Sequence, residues 1–125
     1  MDVPYETIKA ISQRISSQTI ENRRTLHKIP ELELHLPETQ AVIVAQLQRI
    51  GITNITLGKE LTSVVADIQG TSTTAGTVRC VALRSDMDAL PLTETNDCDF
   101  ISTHTGRMHG MLFTVYSANF CSMWT

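Results

Sequence analysis

The chain has 125 residues, 42% of them hydrophobic and 18% charged, with a formal net charge of -3. That balance suits one soluble globular unit, and the small negative charge argues against a nucleic-acid partner. Cys80, Cys98 and Cys121 form no Cys-x-x-Cys pair, and Met1-Asp2-Val3-Pro4-Tyr5-Glu6 is no secretion signal, so a reducing, cytoplasmic setting is expected.

No uncharged apolar run reaches the roughly 20 residues of a membrane-spanning helix, so no membrane partner is expected. Aromatic residues make up only 5% of the chain, which leaves Ile, Leu and Val to build the core.

Ile8, Ile11 and Ile15 recur at helical spacing with Glu6, Lys9, Gln13 and Arg14 between them. The pattern predicts a helix over Pro4 to Ile15, continuing after a break near Ser16-Ser17 through Ile20 to Lys28. Ile29-Pro30 ends it, because the residue before proline avoids helical dihedrals. A second helix opens at Leu36-Pro37-Glu38-Thr39: proline suits the first helical position, and Glu38 favours the positive end of the helix dipole. Ile43, Val44, Leu47 and Ile50 form its apolar stripe, Arg49 lies in its last turn, and Gly51 is a good C-terminal cap.

Alternation predicts short strands over Ile52 to Leu57 and over Ser63 to Ile68. Gly70 to Gly76 is a loop by composition. Val78 to Leu83 is an almost unbroken apolar run, as expected of a strand buried on both faces. Helix, helix, strand, strand, strand is the order of a mixed α/β layer fold.

The third strand runs into Arg84-Ser85-Asp86-Met87-Asp88-Ala89-Leu90-Pro91. Ligands of open α/β sheets bind beyond the carboxyl ends of strands, where Asp86 and Asp88 fall. Two Asp that merely end a strand and solvate a turn fit the spacing equally well. Further on, His104 and His109 are five positions apart, which matches no compact metal-ligand spacing on a helix or strand. From Met108 to Thr125 there is no Lys, Arg, Asp or Glu, and Phe113, Tyr116, Phe120 and Trp124 crowd into that stretch. The tail shows neither helical nor strand periodicity.

The body resembles a known family. Arg23-Arg24-Thr25-Leu26-His27-Lys28-Ile29-Pro30-Glu31-Leu32 is similar to the opening of the metal-dependent amidohydrolases, a group that includes hippurate hydrolases, N-acyl-amino-acid amidohydrolases and plant auxin-conjugate hydrolases. Glu38-Thr39 matches that family's next helix. Ala82 to Pro91 is close to its Ala-Leu-Arg-Ala-Asp-Met-Asp-Ala-Leu-Pro signature, with Ser85 in place of Ala, and Ser102 to His109 looks like its approach to the metal site. The resemblance runs in register from about Arg23 to His109.

It implies hydrolysis of the amide bond of an N-acyl amino acid at a pair of divalent metals, zinc, manganese or cobalt. A metal lowers the pKa of bound water toward about 7 and stabilises the oxyanion. By resemblance Asp88 is the acid that orients a metal ligand, and Asp86 stands where related peptidases place a ligand histidine. His109 matches the histidine of the family's Met-His, and the resemblance implies that Asp86 and His109 either back the metal ligands or lie on the substrate side.

The family continues as Met-His-x-Cys-Gly-His-Asp, where Cys and the second His are ligands. This chain reads Met108-His109-Gly110-Met111-Leu112-Phe113-Thr114. Both ligands are missing, as are the general-base Glu, the later Glu and His ligands and the lid domain; Cys121 is too far displaced to substitute. No residue here is therefore assigned as a metal ligand, and the chain is expected to bind no metal tightly.

The break after His109 suggests a change of reading frame or a translated intron, since Gly110-Met111-Leu112 can be encoded by a string containing the 5′ splice-like GTATGT. The expected fold is the N-terminal part of a mixed-sheet, zinc-peptidase-like α/β catalytic domain over 1–109, incomplete, with an unrelated tail over 110–125. The expected function is that of an amidohydrolase segment inactive by itself, or of a truncated product that is inert or only binds a partner. Self-association is expected from its uncovered apolar surface.

Overall fold

The computed structural model describes residues 4–71 and 80–110, together with the main chain of 116–118. The predicted loop over Gly70 to Gly76 and the first two residues of the predicted third strand lie largely outside the described residues, as does most of the tail.

The first helix, α1, spans Tyr5–Lys28 without a break. The break expected near Ser16-Ser17 does not occur. Threonines one turn on are instead absorbed: the Thr19 hydroxyl donates to the Ile15 carbonyl at 3.0 Å, and that of Thr25 to Glu21 at 2.9 Å. A hydroxyl that bonds back to the preceding turn no longer competes with the helical ladder. The helix stops at Lys28, two residues before Pro30, and the N–H of its C-cap Ile29 turns back to Leu26. Its expected core stripe is not covered, and Ile8, Ile11 and Ile15 are all exposed. Only its last turns are buried, through Leu26 and His27.

The second helix, α2, spans Pro37–Arg49, with proline and Glu38 in its first turn as expected. Gly51 has a φ of 88°, the left-handed conformation that glycine adopts without penalty. The Gly51 N–H bonds to Gln48 and the Ile52 N–H to Leu47, the pair of bonds that closes a Schellman terminus. The start of α2 has no cap from Leu36. The cap is remote: the Glu31 carboxylate accepts the Glu38 N–H at 3.2 Å and the Thr39 N–H at 2.8 Å.

Strands β1 (Ile55–Leu57) and β2 (Val64–Ala66) form an antiparallel pair with Thr56 opposite Val65. Both are shorter than the alternation predicts. Their connection is tight, and a Cβ at Gly58 would collide with the Leu61 carbonyl. Thr62 ties it to the chain entering α2, donating its N–H to Leu34 while its hydroxyl accepts the Leu36 N–H.

Strand β3 (Ala82–Arg84) pairs antiparallel with β4 (Tyr116–Ala118). The expectation that β3 is buried on both faces is not met: Val81 is 62% and Leu83 72% exposed. An apolar run predicts a buried strand only if something covers it, and here β4 supplies edge pairing rather than a covering layer. β4 also lies in the tail, where no strand periodicity is visible; ladder pairing uses main-chain groups and needs no side-chain pattern.

The small core sits where the end of α1, the 29–36 link and the 88–109 segment meet. Leu26, Leu36, Ala89, Pro30 and Thr39 are buried there beside His27 and Glu31.

Candidate functional site

Main-chain bonds at the end of α1 assemble the site. The Ala89 N–H donates to the Glu31 carbonyl at 2.7 Å, fixing the residue after Asp88 against the link that follows the helix. Leu90 and Met108 exchange N–H···O bonds of 2.9 and 3.0 Å as an isolated antiparallel bridge. That bridge brings His109 next to Asp88. The Thr103 N–H and hydroxyl both donate to the Lys28 carbonyl, one of the carbonyls a helix end leaves unpaired. His104 Nδ1 donates to the Pro30 carbonyl at 2.9 Å, and its Nε2 lies 3.5 Å from Glu38.

Of the acids and histidines singled out from sequence, Asp88 and His109 come together. Asp86 does not join them: it pairs with Arg84 at 3.0 Å in an exposed position. Asp86 and Asp88 do line one open depression, with Leu36, Leu61, Thr62 and Arg84 on its other walls.

His109 is half-buried, and its Nε2 is shut off from solvent with no hydrogen-bond partner among the described residues. Burial and the neighbouring His27 push its pKa below the ordinary imidazole value; a hydrogen bond to the Asp88 main chain and the Asp88 charge push the other way.

Among the ion pairs of the described residues, His27 and Glu94 are the most enclosed. Their side chains are 8% and 3% exposed, with Nε2 and Oε1 2.9 Å apart. Burial by itself would raise the Glu94 carboxyl. Hydrogen bonds from His27, the Ser102 N–H and Asn96, with the charge of His27, outweigh it and hold the pKa at about 2. An ionised carboxylate only accepts, so His27 donates from Nε2. The Phe100 and His27 rings meet edge to face with centroids 5.8 Å apart, and the Arg24 guanidinium lies over the Phe100 ring, 4.8 Å from its centroid. Sequence reasoning passed over this pair. His27 carried a signal as part of the Leu26-His27 motif, whereas Glu94 carried none.

Comparison with known proteins gives relatives over most of the chain. Over 87 residues, 70% of this chain, it is 34% identical to N-acetyldiaminopimelate deacetylase of Oceanobacillus iheyensis, covering 22% of that protein. Over 104 residues, 83% of the chain, it is 36% identical to the N-acyl-L-amino acid amidohydrolase of Geobacillus stearothermophilus, covering 27% of it. Thermostable carboxypeptidase 2 of Saccharolobus solfataricus is 37% identical over 105 residues, 83% of the chain and 25% of that protein. The chain belongs to the amidohydrolase/peptidase family. It spans about a quarter of the length of the curated relatives it matches. No family model matches it, and no solved structure does.

Within this amidohydrolase/peptidase segment the motif residues have visible jobs. In Leu26-His27-Lys28-Ile29-Pro30-Glu31, His27 grips Glu94, the Lys28 carbonyl takes Thr103, the Pro30 carbonyl takes His104, and Glu31 caps α2 while holding Ala89. A metal centre needs three or four converging ligands. Among the described residues no group of three or more His, Cys, Asp and Glu is placed to hold a metal ion. Also among the described residues, no helix is long and apolar enough to cross a membrane.

Proposed function

We propose that residues 1–109 are the N-terminal part of a mixed-sheet, zinc-peptidase-like catalytic domain that hydrolyses the amide bond of N-acyl amino acids with divalent zinc, manganese or cobalt. In this reading the residues of this chain position and bound the site and do not ligate the metal. Asp88 is the orienting acid, His109 faces the substrate, and Asp86 lies at the rim. The observation that carries it is the Leu90–Met108 bridge, which joins Asp88 and His109 in a chain whose relatives are named as deacetylase, amidohydrolase and carboxypeptidase. The exposed faces of Val81 and Leu83 support a larger sheet and covering layer around β3. Residues 110–125 are read as a tail foreign to the domain.

A chimaera tests this. Residues 23–109 replace the matching segment of the Geobacillus stearothermophilus amidohydrolase, and N-acetyl and N-benzoyl amino acids are offered with each metal. Turnover that is lost on Asp88→Ala supports the reading. A folded, metal-loaded chimaera without turnover overturns it.

A second reading is favoured by the shortage of ligands among the described residues: the chain is a non-catalytic product that is inert or only binds a partner. Zinc, manganese and cobalt content after dialysis separates the two. Stoichiometric metal on the 125-residue chain, with turnover, would remove the second reading.

A further inference from the structure

Among the described residues, nothing covers the first half of α1. Residues 5–17 are exposed at every position, roughly 20 Å of helix at 1.5 Å per residue. The apolar stripe of this half, Ile8, Ile11 and Ile15, is 53%, 44% and 51% exposed. A helical stretch this short is marginal in water unless its apolar face is packed.

The stripe runs on into an open groove of about 420 Å³ between the two helices. Ile15, Thr19 and Leu26 line it from α1, and Ile43, Leu47 and Ile50 from the α2 side. Polar groups in this groove already have partners. The Gln18 amide donates to Glu21 at 3.2 Å and to Asn22 at 3.0 Å, and the Thr19 hydroxyl donates to the Ile15 carbonyl. Filling the groove with apolar side chains therefore strands none of these donors.

We propose that α1 is a self-association surface: the overhanging half of α1 in one copy lies antiparallel along α1 of a second copy, with its isoleucines in the second copy's groove, and the second copy returns the same contact. Stripe and groove follow one another along a single helix, so an antiparallel two-fold pairing sets each stripe against the other copy's groove. A two-fold interface is self-complementary in this way. With Ile15 beside Thr19 of the other copy, Ile8 falls beside its Leu26.

Charge fits the same register. Arg14 and Glu21 are two turns apart and so share one flank of the stripe. Neither belongs to an ion pair among the described residues. In the antiparallel pairing that flank faces its counterpart, which brings Arg14 of each copy to Glu21 of the other. A parallel pairing leaves them two turns apart. The stretch from Met108 to Thr125 has no charged residue to offer Arg14 or Glu21, so a second copy matches this surface and the chain's own tail does not. The inference does not depend on the amide-hydrolase reading.

The test is sedimentation velocity of the full chain over a range of concentrations, with far-ultraviolet circular dichroism on the same samples. Expected are dimers of the unsubstituted chain, helicity that falls on dilution as the overhang frays, and loss of the dimer in Ile11→Asp. Arg14→Glu and Glu21→Arg should each raise the dimer dissociation constant by about tenfold, and the two together should restore it. A monomer at every concentration, a dimer that survives Ile11→Asp, or a double reversal as weak as the single ones overturns the proposal. Should Ile11→Asp lose its fold, the charge reversals decide it.

Discussion

Glu31 caps a helix it does not belong to, its carboxylate accepting the Thr39 N–H at 2.8 Å in a site where both residues are buried. The same residue receives the Ala89 N–H on its main-chain carbonyl. One position thus fixes the start of α2 and the segment that carries Asp88.

Glu31→Ala should lower stability by about 2 kcal/mol, at the upper end of a lost helix cap, because two N–H donors are left without a partner in a buried place. Glu31→Gln should cost less, since an amide oxygen still accepts one of them. Urea unfolding followed by far-ultraviolet circular dichroism measures both. Equal costs for the two variants would count against the capping role.

Glu94 makes stability depend on pH in the acid range. Its folded pKa is about 2 against an ordinary 4.5, so between those values the unfolded state binds more protons. The stabilisation is complete above about pH 4.5 and is lost as the pH falls through about 2. Unfolding midpoints measured across this window should fall with pH in the unsubstituted chain and fall less steeply in Glu94→Gln. Parallel slopes would show that another group is responsible.

Asp86→Asn should change stability by less than about 0.5 kcal/mol, because its pair with Arg84 is solvent-exposed and such pairs contribute little. Chemical denaturation of the variant checks this, and a larger loss would place Asp86 in the fold rather than at its rim.

The chain should associate with itself. Ile8, Ile11, Ile15, Val81 and Leu83 are all exposed, and apolar surface of this extent seeks a cover. Sedimentation velocity over a range of concentrations should show species heavier than 13.9 kDa. A single monomer at every concentration, unfolding cooperatively, would contradict this.

Local chemistry is what the sequence determined unaided. Pro37, Glu38, Arg49 and Gly51 mark both ends of α2 because capping and dipole effects act within one turn, and the structure places those ends where the residues predict. The three strands were visible as apolar or alternating runs, though longer than the pairing that forms. The ordered motifs from Arg23 to His109 also carried the family, which the comparisons bear out.

Tertiary structure alone decided the rest. His27 and Glu94 are 67 positions apart, and no spacing rule announces a pair made by chain reversal. Glu31 was legible as part of a motif, but not as the cap of a helix that begins six residues later. Asp86 and Asp88 look equivalent on paper; one hydrogen-bonded bridge, Leu90 to Met108, brings His109 to Asp88 and leaves Asp86 with Arg84 in solvent. Burial was the least legible property. The runs at Ile8 to Ile15 and Val78 to Leu83 read as core, yet their described apolar residues lie open, because periodicity records which side of an element is apolar and packing decides whether anything lies against it.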